Sequence, residues 1–209
     1  MLPPRTAPPS FAERAELPPE LPALAHFAAR LKTDERRPSA GAAAALAVAL
    51  AADLVAQVAE RTPGWDARSG ILAQTDVLRE RATSAAGSVA AIYHVLVKAL
   101  DAAVVEPPSS APASDLGEEL ARAVDVLIQI AETACDCAAL AVVVAESGDT
   151  VVRADATAAA ILAAAGAEMA THLVEVNLIA GARQERTDRA RELASAAALS
   201  RAAALAVLP

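Results

Sequence analysis

The chain has 209 residues, which is long enough for one domain with a substantial core. Hydrophobic residues make up 55% of it but aromatic residues only 2%, so alanine supplies much of the apolar content. A core of such small side chains needs close helix packing and would gain from burial against a second copy, so we expect a homodimer. The net charge of −8, without a basic block, argues against nucleic acid and anionic membrane partners.

Two further features bear on membrane contact and compartment. The longest uncharged run is rich in alanine and ends at Asp53, which we interpret as too short and too weakly hydrophobic for a membrane span. The amino terminus is rich in proline rather than basic and then apolar, so no signal peptide is expected. Cys135 and Cys137 would point to different faces of a helix. They are therefore expected to be reduced, buried and structural in a cytoplasmic protein.

Prolines over residues 1–20 predict a flexible arm, followed by a single helical domain over 21–209. Apolar spacing predicts a first short helix over Leu21–Leu31. Pro38–Gly41 predicts a turn in which Gly41 allows a close approach of the backbone. A central helix over Ala42–Arg61 follows, because alanine and leucine favour helix and almost no polar residue interrupts them. Its amino end is either a plain core helix terminus or a ligand site.

The remaining helices are predicted from apolar periodicity and from Pro and Gly breaks. The first is a long helix, or two stacked helices, from Trp65 to about Ala103, and a loop at 106–112 follows it. The next helix starts at the capping-box-like Asp115 and Glu118 and ends at Glu146. The last two run from Arg153 to about Ile179, with Gly181 after it, and over Glu185–Val207. No stretch alternates convincingly as a strand would. The fold class is therefore all-α, a bundle of five to six helices around the Ala-rich central helix.

A few residues could carry chemistry. Asp155 is either a helix-start acid stabilised by the dipole or a site group, and Asn177 is either a buried amide or a ligand contact. Tyr93 and His94 are acid and base candidates, although a histidine on a long helix is more often packed or exposed. Glu168 and His172 are most simply a surface pair. No His, Cys or acid cluster has metal-ligand spacing, so no metal is expected, and no catalytic serine signature or Gly-rich phosphate loop is present.

Five short motifs, in order, resemble those of the cyclodeaminase/cyclohydrolase family. They are the Pro-x-x-Gly of Pro38–Gly41, the Val-Ala-x-x-Thr of Val58–Thr62, the Gln-x-x-x-Leu-Arg of Gln74–Arg79, the Ala-Asp-Ala of Ala154–Ala156 and the Leu-Val-x-x-Asn-Leu of Leu173–Leu178. The resemblance covers roughly Leu21 to the carboxyl terminus. The family includes the carboxyl-terminal domain of formiminotransferase-cyclodeaminase and stand-alone methenyltetrahydrofolate cyclohydrolases.

The resemblance implies an all-α homodimer that acts on a one-carbon tetrahydrofolate. Family members release ammonia from formimino-tetrahydrofolate or hydrolyse the methenyl form to formyl-tetrahydrofolate. By motif position, Asp155 is the expected catalytic residue, and Gly41 and Asn177 are the expected substrate-binding residues. The tetrahydrofolate derivative is a substrate, and no permanently bound cofactor is expected.

The sequence also departs from the family pattern at three places. Ser39 and Ala40 precede Gly41 where members usually have further glycines. No acid lies within 87–93, where members tend to carry an aspartate, and Ser88 or Val89 takes that place. Leu127 stands where a proline usually breaks the helix. These departures support an alternative function, a diverged non-catalytic helical dimer that binds another small molecule or a protein partner.

Overall fold

The structure is a computed structural model that describes Ala29 and residues 39–105, 113–178 and 184–207. The chain divides into two compact units, Met1–Arg37 and Pro38–Pro209. The described residues of the second unit form five α-helices and no strand, so the all-α prediction is confirmed. The helices are α1 Ala40–Glu60, α2 Arg68–Val105, α3 Ala113–Ser147, α4 Arg153–Leu178 and α5 Gln184–Ala206, with a 3₁₀ turn at Thr150–Val152 before α4.

Helix α1 begins one residue after a serine cap. The Ser39 hydroxyl accepts a hydrogen bond from the Ala42 backbone N–H at 3.2 Å, and Ser39 itself is buried. Ala40 and Gly41 therefore belong to the first helical turn, and the prediction that they form a turn before the helix is wrong. The cap satisfies a backbone N–H group that the start of the helix would otherwise leave without a partner.

The other predicted helices correspond closely to the observed ones. The stretch after Trp65 forms one 38-residue helix rather than two, because it contains no proline and its glycines fit a helix. Helix α3 already begins at Ala113, so Asp115 lies within it and is not its cap. The starts of α4 and α5 agree with prediction to within one residue. Three predictions lie outside the described residues: the loop at 106–112, the role of Gly181 and the helix over 21–31, of which only Ala29 is described, as helical.

The core is shared by several helices rather than organised by α1 alone. Helix α3 packs against all four other helices, whereas α1 packs against α2, α3 and α4. Buried alanines and valines dominate both α1 and α4, and the largest fully buried side chains are Leu127 and Ile130 of α3. Helices with such small side chains must approach closely to exclude water from between them.

Helices α1 and α4 approach closely at Gly166. A Cβ atom on Gly166 would lie 2.6 Å from Val48 Cγ2 and 3.3 Å from the Ala44 carbonyl oxygen. At the end of α1, the Thr62 hydroxyl accepts a hydrogen bond from the Asp149 N–H at 3.0 Å, which ties this end to the start of α4. Helices α1 and α4 therefore run antiparallel, with the α1 amino end beside the carboxyl-terminal half of α4.

Helix α5 is attached to its neighbours mainly through small residues and ion pairs. It buries Ala190, Leu193, Ala197 and Ala204, and the Thr171 hydroxyl donates a hydrogen bond to the Ala190 carbonyl at 2.9 Å. Four arginines of α5 reach carboxylates on both neighbouring helices: Arg186 to Asp125, Arg189 to Glu132, Arg191 to Glu175 and Arg201 to Glu168. Because these pairs are partly exposed, each contributes about 1 kcal/mol or less.

Three helical stretches are long and apolar enough to cross a membrane by length and composition. They are Ala40–Glu60, Gly117–Ser147 and Thr150–Leu178, with mean hydropathies of 1.9, 1.8 and 1.3. The interpretation that the Ala-rich run is too short and weakly hydrophobic is therefore wrong on both measures. Shares of 56%, 44% and 56% of these windows are buried inside the bundle. The absence of membrane contact stays a prediction.

The α1–α4 contact yields a stability prediction. We expect Gly166→Ala to lower the free energy of unfolding by about 1–3 kcal/mol, because the new methyl group meets Val48 and backbone atoms that cannot easily move. Gly87→Ala is the matched control, since Gly87 is an exposed helical glycine with open space beside it. That change should raise stability by about 0.5–1 kcal/mol through helix propensity. Urea denaturation followed by circular dichroism measures both, and equal effects of the two changes would contradict the close contact.

Candidate functional site

The amino end of α1 is packed with apolar side chains. Gly41 is buried, and a Cβ atom on it would lie 2.8 Å from Val89 Cγ2 and 3.2 Å from Leu127 Cδ2. The predicted close approach at Gly41 is present, and its partners are side chains of α2 and α3 within the same chain. The substrate-binding role of Gly41 stays a prediction.

The sequence departs from the family pattern at Leu127 and at either Val89 or Ser88. Val89 and Leu127 are buried and meet at Gly41, so in the alignment that uses Val89 the two departures are neighbours in space. Ser88, the other position proposed for the missing acid, is exposed and faces an adjoining groove. The packing therefore separates the two alternatives: Val89 fills the helix junction, and Ser88 borders solvent.

A groove of about 590 Å³ lies between α2 and α3, directly beside this junction. We call it the α2–α3 groove. It is lined by Val77, Glu80, Arg81, Ser84, Ala85 and Ser88 of α2 and by Gln129, Glu132 and Thr133 of α3. Most of these side chains are polar, and both signs of charge are present. A second hollow of about 560 Å³ shares Val77 and continues between the same helices toward Leu140, with a more apolar lining.

Ion pairs fix two of the charged side chains at this groove. Arg81 lies 3.5 Å from Asp136 of α3, which borders the apolar hollow. Glu132 accepts a hydrogen bond on Oε1 from Arg189 of α5 at 3.2 Å. Thr133 is buried, and its hydroxyl donates to the Gln129 carbonyl at 2.7 Å within α3. The groove thus offers carboxylate, hydroxyl and amide groups on walls formed by two long helices.

A separate groove of about 520 Å³ lies on the other side of α2, against α1, and we call it the α1–α2 groove. It is lined by Leu46, Ala49, Leu50 and Asp53 of α1 and by Asp76, Arg79, Glu80 and Thr83 of α2. Burial raises the pKa of the Asp53 carboxyl, and Arg79 at 3.5 Å partly opposes that rise. Arg79 also bonds Asp76 at 3.0 Å, so its charge is shared between two acids. An existing cation therefore already partners the charges of this groove.

The structure does not bring the three predicted site residues together. Asp155 lies in the first turn of α4 and Asn177 near its end, roughly 33 Å apart along the axis at 1.5 Å per residue. Because α1 and α4 are antiparallel, Gly41 lies toward the Asn177 end and roughly 20 Å or more from the level of Asp155. Asp155 and Asn177 are both half-buried, and neither lines the grooves described above. Their roles stay predictions.

The aromatic and histidine candidates lie on the surface. Tyr93 is 43% exposed, and His94 and His172 are also exposed. Glu168 is exposed as expected, but among the described residues its partner is Arg201 of α5 at 3.5 Å rather than His172. These side chains line none of the three described cavities.

The two cysteines differ in environment. Both are free, and Cys137 is buried as expected, whereas Cys135 is half-exposed, so the prediction that both are buried is wrong for Cys135. Burial raises the pKa of the Cys137 thiol to about 12, with a further contribution from Asp136. Over the parts of the chain that the structure describes, no three His, Cys, Asp or Glu side chains are grouped as metal ligands would be.

Apart from Ser88, sequence reasoning did not identify the polar residues of the α2–α3 groove. The run Arg79–Arg81 is a simple charged surface stretch by sequence and is exposed, yet it borders both grooves. Glu132 carries no local sequence signal, since its position at the groove depends on how α3 pairs with α2 and α5. The spacing of Glu80, Ser84 and Ser88, four residues apart, was the one available sign that they share a helix face.

Comparison with known proteins places this architecture. The family model for formiminotransferase-cyclodeaminase matches residues 23–196 of the chain. This chain belongs to that family. A crystal structure of formiminotetrahydrofolate cyclodeaminase from Thermotoga maritima is similar, with a TM-score of 0.78 and 19% sequence identity over 94% of this chain and 97% of that one. At that sequence identity, the similarity shows that the two proteins share a fold. A search among curated proteins finds no match.

The Gly41 junction yields a test of its packing role. Gly41→Ala should destabilise the protein by about 1–3 kcal/mol, because the added methyl group meets the Val89 side chain. Truncation of Val89 to alanine makes room for that methyl group. The double variant should therefore be more stable than the sum of the two single effects predicts, by about 0.5–3 kcal/mol, in a double-mutant cycle read by urea denaturation. Strict additivity would show that Gly41 and Val89 do not share the contact.

Proposed function

We propose that this protein is an enzyme of one-carbon folate metabolism, either a methenyl-tetrahydrofolate cyclohydrolase or a formimino-tetrahydrofolate cyclodeaminase. Membership of the formiminotransferase-cyclodeaminase family over residues 23–196 is the observation that carries the proposal. The similar structure from Thermotoga maritima is itself a formiminotetrahydrofolate cyclodeaminase, which supports the same substrate class. We place the reacting part of the substrate in the α2–α3 groove.

The groove has the groups that such a reaction needs. Hydrolysis of the methenyl form requires a base to activate water that attacks the carbon between two nitrogens, and cyclodeamination requires a proton donor for the departing ammonia. Glu80 and Glu132 lie on opposite walls and could accept or return a proton. Ser84, Ser88 and Gln129 can hydrogen-bond the pterin ring, whose amino and N–H groups favour oxygen acceptors.

The predicted roles of Asp155 as a catalytic group and of Gly41 and Asn177 as substrate contacts can be tested against this proposal. One chain cannot place all three around a single carbon atom, because Asp155 lies at the other end of the bundle from Gly41. If the substrate binds in the α2–α3 groove, Asp155 of the same chain does not contact its reacting atoms.

An alternative function, a non-catalytic helical dimer that binds another small molecule or a protein, is favoured by one observation. Val89 and Leu127 fill the junction at Gly41 with apolar side chains, where the family pattern has a proline in place of Leu127 and, in one of two alignments, an acid in place of Val89. A scaffold of this kind would keep the fold and lose affinity for reduced folates. Direct measurement of folate binding separates the two functions.

We also propose that the protein is a cytoplasmic homodimer. Ile161, Met169 and Val176 share one face of α4 and are exposed by 44%, 38% and 52%. On α5, Leu199 is 72% exposed. Burial of such side chains against a second copy would add the apolar area that an alanine core lacks.

The first functional prediction concerns folate binding. Isothermal titration with 5-formyl-tetrahydrofolate, a stable one-carbon folate, should give saturable binding to the wild-type protein. Ser84→Phe should abolish or strongly weaken that binding, because the ring would occupy the α2–α3 groove. Thr83→Phe is the matched control, since Thr83 is the exposed neighbour on α2 that borders the other groove.

The outcomes of this titration are distinct. Loss of binding in Ser84→Phe with binding retained in Thr83→Phe supports the α2–α3 groove. The opposite pattern would move the substrate to the α1–α2 groove. No binding by a folded wild-type protein at high ligand concentration would favour the non-catalytic scaffold.

The second functional prediction concerns Asp155. If the reaction takes place in the groove, Asp155→Asn should retain turnover of methenyl- and formimino-tetrahydrofolate within about threefold of wild type. The same variant should show an unchanged helical circular dichroism spectrum. A loss of turnover by two orders of magnitude or more, the range typical for a general acid or base, would restore Asp155 as the catalytic group and contradict the groove of one chain as the complete site.

A further inference from the structure

The α2–α3 groove carries one carboxylate that is held from outside by a third helix. Glu132 lines the groove from α3, and its Oε1 accepts a hydrogen bond from Arg189 of α5 at 3.2 Å. Its side chain is 36% exposed, so it is reachable from solvent. Among the described residues, the other carboxylate oxygen has no hydrogen-bond partner. One oxygen is thus paired with Arg189, and the other is available to a molecule in the groove.

The groove around Glu132 suits a positively charged organic group that also forms hydrogen bonds. Glu80 adds a second negative charge on the opposite wall, and Ser84 and Ser88 add hydroxyl groups. Arg81, the one cation in this lining, already lies 3.5 Å from Asp136. With these partners counted, Glu80, Glu132 and Asp136 stand against Arg81 and Arg189, and this excess of negative charge attracts a positive group and disfavours a carboxylate.

The two substrates of the proposed function share a charge feature at the one-carbon unit. In the methenyl form the carbon bridges two nitrogens as a delocalised cation. A protonated formimino group is likewise an amidinium. The 5-formyl form carries a neutral amide at the same place. A carboxylate beside the one-carbon unit would therefore bind the first two in preference to the third.

We propose that Glu132 is a specificity-determining residue that recognises the positive charge of the one-carbon unit, with Arg189 holding the carboxylate in place. This inference rests on the proposed folate function and on the placement of that unit in the α2–α3 groove. It assigns to Glu132 the selection of cationic over neutral one-carbon forms.

The test compares a cationic and a neutral ligand. Affinities of the wild-type protein for 5,10-methenyl-tetrahydrofolate and 5-formyl-tetrahydrofolate are measured in one mildly acidic buffer by rapid-mixing competition, read before hydrolysis of the methenyl ring. Glu132→Gln keeps the size of the side chain and removes its charge. It should lower the preference for the methenyl form roughly three- to tenfold while affinity for the formyl form stays within about twofold.

Glu146→Gln is the matched control, because Glu146 is an exposed carboxylate of the same helix that does not line the groove. It makes the same change in net charge and should leave the preference unaltered. An equal loss in both variants would assign the effect to overall charge and overturn the role of Glu132. An unchanged preference in Glu132→Gln would also overturn it while leaving folate binding intact. Absence of binding of either folate to the wild-type protein would instead defeat the proposed function.

Discussion

The contact between α1 and α4 at Gly166 is the constraint on which the rest of the bundle depends. The Gly166 backbone lies against Val48 and the Ala44 carbonyl because neither helix has a bulky side chain at that level. This brings two Ala-rich helices close enough to exclude water without aromatic residues. Helices α2 and α3 then pack around the pair, and Leu127 and Ile130 of α3 supply the largest buried side chains. Small residues thus set the distance between α1 and α4, and larger side chains fill the remaining space in the core.

A core of this kind has little room for chemistry. Several charged and hydroxyl side chains line grooves along α2, at the surface of the bundle rather than in its core. The junction at Gly41 shows the same principle at smaller scale, since Val89 and Leu127 occupy the space beside the glycine. The groove beside it, with Glu132 and Ser88, is the nearest place where a substrate can meet charged and hydroxyl groups.

The fold was largely predictable, whereas the groove was not. Alanine, leucine and valine at helical spacing, with Pro and Gly at the breaks, indicated the helices and most of their ends. The predicted start of α1 was two residues late. The sequence Pro-Ser-Ala-Gly is compatible with a turn, whereas in the structure the Ser39 hydroxyl caps the helix by accepting a hydrogen bond from the Ala42 N–H. Glu132 could not be recognised, since its significance comes from Arg189, 57 residues later in the chain. Asp155 stood out by its motif, but its distance from Gly41 follows from the antiparallel pairing of α1 and α4, which spacing alone does not reveal.

Helix α2 forms a wall of both grooves, with Thr83 facing one and its neighbour Ser84 facing the other. Successive residues of a helix are 100° apart, so neighbouring side chains of α2 are divided between the two grooves. Glu80 borders both grooves. A substitution on this part of α2 therefore changes one groove or the other according to its position around the helix, and a change at Glu80 alters both.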